Sequence, residues 1–174
     1  MRRYLFYVSA SIVIILIFLS YWHVSVVRVT LPKTGDQLLA IEQVVNTDRI
    51  CLTYRHSVEL ITVEGCFRID PQGGFLALQT KMESAGTGLP NTAIGRTQLK
   101  NGWIVVDEEL APVGPIRFFI VPLNQTRLTV AERPVHVEKL KAGTLVQLDT
   151  MRVSTLRWFW DTVVIYFTFK RTPS

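Results

Sequence analysis

Between residues 26 and 151, apolar and polar side chains alternate with a period of two in one short burst after another. "VVRVTL", "QLLAIEQVV", "RICLTYRH", "ITVEGCFRI", "GFLALQTKM", "GWIVVDE", "IRFFIVP", "RLTVAE" and "GTLVQLDTM" all follow it. Successive side chains of a strand point to opposite faces, so this period builds half-buried strands and no helix. Turn-forming residues separate the bursts at 32–36, 46–48, 71–74, 102, 112–115, 124 and 143. Many short strands at such spacing predict a mainly β domain, an antiparallel β-sandwich or barrel-like fold. No repeat or low-complexity linker divides it.

The two ends break the pattern. Met1, Arg2 and Arg3 precede an uncharged run, residues 4–22, with aromatic rings near both ends. At ~1.5 Å per helical residue such a run matches a ~30 Å hydrocarbon core. Cleaved signal peptides have shorter apolar regions and a small-x-small site, which "SYWHVSVV" lacks. The run therefore reads as an uncleaved signal anchor, a single N-terminal transmembrane helix with the arginines inside and the domain outside. The other end, "STLRWFWDTVVIYFTFKR", is aromatic and too short for a comfortable span. It reads either as a last core strand, through "VVIYFTF", or as an interfacial or docking helix. The helix would be capped by Ser154, with Arg157 and Asp161 paired at i, i+4. The organisation is then 1–25 flank and anchor, 26–153 extracytoplasmic β-rich domain, and 154–174 aromatic C-terminal segment. Net charge is +5 over 174 residues, evenly scattered, so no stripe or tail points to nucleic acid.

The most chemical stretch is "YRHSVELITVEGCFRI", residues 54–69. Residues 49–57 laid against 60–69 as a hairpin put Arg55 opposite Thr62, Thr53 opposite Glu64 and Cys51 opposite Cys66. Ile50, Leu52 and Tyr54 then share the apolar face with Val63, Gly65, Phe67 and Ile69. Arg55 and Glu64 become diagonal neighbours able to pair. Opposed strand residues lie within disulfide range, which in an exported domain predicts a Cys51–Cys66 bridge. Two isolated thiolates do not make a zinc site, and no metal or cofactor is expected. His56 beside Ser57 suggests a nucleophile and base, but adjacent strand residues diverge and no G-x-S-x-G elbow is present. His56, Ser57, Glu59 and Glu64 remain as binding candidates, against the plainer reading of a solvated hairpin tip. "SAGTGLP", residues 84–90, is a second candidate: Ser84, Gly86, Gly88, Leu89 and Pro90 make a backbone-exposing loop, either a bend or an anion-binding surface. It matches neither a dinucleotide loop nor a phosphate-binding P-loop. Counting strand lengths brings both stretches to one end of the domain.

These two stretches together resemble the DUF1850 family of bacterial domains of unknown function. The matching positions are Tyr54, His56, Ser57, Val58, Glu59, Val63, Glu64, Gly73, Gly74, Leu76, Ser84, Gly86, Gly88, Leu89 and Pro90. The chain departs at Thr62, where proline is usual, and at Gly65, where a second acid is usual. The resemblance implies an association with TAXI-type TRAP transporters, which import organic acids with an extracytoplasmic binding protein. The expectation is a non-enzymatic, single-pass accessory protein of the bacterial cytoplasmic membrane, N-terminus inside, domain facing the periplasm or exterior. Its partners would be the membrane, a TRAP permease or its solute-binding protein, or an organic-acid ligand. The alternatives are an extracytoplasmic sensor for a small ligand or cation and, last, a hydrolase using His56.

Overall fold

The computed structural model describes residues 2–45, 47–84 and 96–170. Its elements run α1 (Arg2–Tyr21), β1 (His23–Leu31), β2 (Gln37–Gln43), β3 (Ile50–Arg55), β4 (Thr62–Ile69), β5 (Phe75–Met82), β6 (Thr97–Lys100), β7 (Trp103–Asp107), β8 (Pro112–Val113), β9 (Ile116–Phe119), β10 (Arg127–Val130), β11 (Arg133–Val135), β12 (Leu145–Ser154) and α2 (Thr155–Lys170). The strands form two antiparallel sheets. One, sheet A, has the order β2-β1-β12-β9; the other, sheet B, has the order β11-β10-β3-β4-β5-β7-β6, with β8 paired to β5. The mainly β antiparallel fold read from the alternation is what forms.

Period two explains the layering. Val27, Val29 and Leu31 of β1 and Val146 and Leu148 of β12 point to one side of sheet A, where they meet Ile50, Ile69, Phe75, Leu128 and Val130 of sheet B in a common core. The intervening residues of sheet A face the other way. There Val26, Ile41 and Val153 are buried under Trp158 and Ile165 of α2. The order of layers is therefore helix, sheet A, sheet B. The two sheets are also tied at one corner, where Gly74 N–H donates to Thr150 Oγ1 at 2.7 Å. Gly74 has φ of 90°, and a Cβ there would stand 3.3 Å from the Val113 carbonyl oxygen, so both the turn and the close approach require glycine.

Three strands lack the alternating signal: β6, β8 and β11. β6 ("TQLK") and β11 ("RPV") close the two edges of sheet B. Edges favour lysine and proline because these discourage further pairing, so the residues that make good edges erase the strand pattern.

The C-terminal run is a helix, and the strand reading of "VVIYFTF" gives way to it. The local chemistry is the capping read from the sequence. Ser154 Oγ accepts the Arg157 N–H at 3.3 Å, and Arg157 pairs with Asp161 at 3.7 Å, one turn on. Sheet A's outer face then has a cover, which an added strand could not supply. The N-terminal run is also helical, as expected, but among the described residues no helix is long and apolar enough to cross a membrane. The exposed side chains described on α1 run from Tyr4 to Tyr21, about 26 Å along the axis, with tyrosines toward both ends.

Candidate functional site

β3 and β4 pair in the register read from the sequence: Cys51↔Cys66, Thr53↔Glu64 and Arg55↔Thr62. Cys51 and Cys66 form a disulfide with a Cα separation of 4.2 Å. That spacing belongs to the narrow, non-hydrogen-bonded kind of cross-strand pair, the only kind that brings two Cβ atoms so near. Tyr54 points inward with Val63, and its burial pushes the phenol up from its ordinary value.

The hairpin tip is built around His56. Its N–H donates to Ile61 O at 2.8 Å, and its carbonyl accepts the Leu60 N–H at 2.9 Å. Leu60 closes the turn at φ of 57°, in the left-handed region. The ring completes the arrangement: Nδ1 accepts the Glu59 N–H at 3.3 Å. The Nδ1 atom is thereby engaged by the backbone of its own turn. Ser57, the next residue, is exposed. His56 therefore turns the chain with its own side chain.

Next to the tip lies the end of β5. Thr62 N–H donates to Glu83 Oε2 at 2.9 Å, and Glu83 N–H donates to Thr62 O at 3.3 Å. The Thr62 amide and hydroxyl, with a further pull from the Arg55 guanidinium, hold the Glu83 carboxyl below its usual range. Arg55 itself donates from Nε to Leu60 O at 3.0 Å. Ser84, exposed, follows Glu83, so the second candidate loop leaves the sheet beside the first. Gly86, Gly88, Leu89 and Pro90 lie outside the described residues.

From this end a groove of about 640 Å³ runs across the outer face of sheet B. Thr53, Thr62 and Glu64 form one wall, Gln79 and Lys81 its floor, and Lys100 and Trp103 the far side, with Arg49 at the end. Glu64 pairs with Lys81 at 3.0 Å, not with Arg55. The lysine stands directly opposite on β5, whereas Arg55 is drawn back to the turn carbonyl. Among the described residues no carboxylate pairs with Arg49 or Lys100. The groove is thus cationic, with an indole at its rim. Gly65 is on the opposite, core-facing side, so positions 64 and 65 cannot present two acids to one ion. Among the described residues no group of three His, Cys, Asp or Glu could hold a metal.

The alternation already placed Gln79 and Lys81 on one face of β5, but not beside Glu64; that needed the β4–β5 register. Lys100 had no signal, because β6 itself had none, and the strand that carries Trp103, β7, gave no sign that it lies next to β5. A second groove, of about 600 Å³, is mostly apolar and lies between β10 and β11. At its edge His136 Nδ1 lies 2.9 Å from Glu138 Oε1.

No curated protein and no solved structure matches the chain. A family model does, over residues 50–137, half of the chain. The match takes in β3 to β11, hence the disulfide hairpin, the tip and the groove apart from Arg49, and leaves α1, β1, β2, β12 and α2 outside it. The chain belongs to the DUF1850 family, domains of unknown function.

Proposed function

We propose that this protein is a non-enzymatic accessory component of a TRAP-type solute transporter. In this reading α1 tethers it to the outer face of the bacterial cytoplasmic membrane, and the groove end of sheet B meets the permease or its solute-binding protein. The observation that carries the proposal is the groove: two cations without carboxylate partners among the described residues, beside a turn whose histidine is engaged in holding the backbone. Such a surface recognises carboxylates and acidic patches; it offers no activated nucleophile. The tether is supported by the sequence. Residues 4–22 carry no charge, match a ~30 Å bilayer core as a helix, and follow two arginines suited to the cytoplasmic side. β1 begins two residues after α1, so anchor and domain are joined without a flexible linker.

The test is co-purification in mild detergent of the tagged full chain with a co-expressed TRAP permease and binding protein. We expect retention of one of them, lost in the Arg49→Glu, Lys100→Glu double variant while the fold is kept. A chain that leaves the column alone, from membranes containing both components, overturns the reading. The groove favours a second reading, a sensor that binds an organic acid itself. A thermal shift with mono- and dicarboxylates, abolished by the same two substitutions, would select it.

A further inference from the structure

We infer that α2 lies flat in the lipid headgroup layer, with sheet A on its inner side and the bilayer on its outer side. The inference rests on the tether proposed for α1 and adds a second, independent contact with the membrane.

Two observations carry it. The first is what the helix does with its faces. Trp158 and Ile165, two turns apart, pack on Val26, Ile41 and Val153 of sheet A. The opposite stripe is Leu156, Phe159, Trp160, Val164 and Phe167, at helical spacing. All five are exposed, Phe159 at 62%, Trp160 at 66% and Phe167 at 61%. A surface helix of a water-soluble domain puts charge on that side. Here both sides are apolar, one seated on protein and one bare. Indole and phenyl rings at this density suit the boundary between headgroups and acyl chains, about 5–10 Å deep. Arg157, on the flank and 62% exposed, can reach lipid phosphate.

The second observation fixes where the helix sits. Thr155 donates to Trp22 O twice, from its N–H at 2.8 Å and from Oγ1 at 3.0 Å. The first residue of α2 is thus bonded to the chain at the point where the uncharged N-terminal run ends. If that run crosses the bilayer, its end marks the membrane surface, and α2 starts there. The helix then turns back along sheet A, seated on it through Trp158 and Ile165, with its long axis, as proposed, in the plane of that surface. A protein partner would have to reach this strip at the foot of the anchor, where lipid is already present.

The experiment uses the full chain in phosphatidylethanolamine–phosphatidylglycerol vesicles, with bromines on the acyl chains placed either near the glycerol backbone or near the bilayer centre. The difference in emission between the protein and its Trp160→Phe variant isolates Trp160. We expect shallow bromines to remove most of that emission, deep bromines little, and aqueous acrylamide little. Emission lost to acrylamide and to neither lipid would overturn the inference, as would stronger quenching by the deep bromines, which would mean insertion into the core. Alkaline carbonate extraction of the same vesicles reads the tether separately. Release of the protein would sink both proposals, whereas retention with Trp160 open to water would sink only this one.

Discussion

Glu83 illustrates how much a single exposed side chain can organise. Its carboxylate receives the first amide of β4, so the departing end of β5 is stitched to the hairpin tip. The Thr62 bonds and Arg55 favour the charged form. A carboxyl whose folded value is depressed contributes stability above its unfolded value and loses it as pH falls through the folded one. We therefore expect the Thr62 amide, followed by NMR, to titrate with a midpoint below the ordinary glutamate value of about 4.3. The Glu83→Gln variant should flatten the curve, and an unshifted midpoint would show that the bond is not held in solution. His56, Ser57 and Glu59 stood out in the sequence as a cluster. That the His56 ring would accept a backbone amide did not, because that contact exists only once Leu60 takes its left-handed conformation. Side-chain-to-backbone bonds depend on torsions that residue identity alone does not set.

The β3–β4 hairpin was readable to the residue because both its strands alternate cleanly and a one-residue slip would bury Glu64 and expose Val63. The disulfide follows from that register. Its two half-cystines are 15 residues apart, and closing a loop of that size stabilises by up to about 3 kcal/mol in the chain-entropy model. A Cys51→Ser, Cys66→Ser double variant should unfold at lower urea concentration by the equivalent amount. The reduced wild-type protein should behave like it; equal midpoints for oxidised and reduced protein would mean that the bridge stabilises nothing. Edge elements were illegible for the opposite reason. In β6 and β11 the demands of solubility override those of pairing, so strand propensity is absent where the strand is present.

On the scale of the molecule, local pattern gives out altogether. Period two gives each strand two faces, but it does not say which strand lies beside which. β10 pairs with β3 and β1 with β12, partners far apart in sequence whose union depends on how the two sheets close over their common core. The Gly74–Thr150 bond is one place where that closure is held by a specific contact. A Thr150→Val substitution keeps the side chain's size and removes the acceptor, leaving the Gly74 N–H half-buried without a partner. The expected cost is about 1–3 kcal/mol. It should be seen as a lower denaturation midpoint at an unchanged slope, the sign that stability and not compactness has changed. A full-size loss of slope would mean that the sheets separate instead.

The pairing of β1 with β12 also sets a clock. The ribosome makes β1 early and β12 near the end of the chain, and at typical elongation rates the interval is on the order of ten seconds. Through that interval β1 has only β2 as a neighbour, and its remaining edge is open. Sheet B, whose strands are all made before β12, can assemble meanwhile. Sheet A cannot. The last strand thus acts as a latch, and Thr155, bonding to Trp22 just beyond it, drops into place only after the latch has shut. A chain interrupted shortly before residue 145 would carry a finished β3–β4 hairpin and groove on an unfinished molecule. The open edge of β1 would then be available to any neighbouring strand, including another copy's.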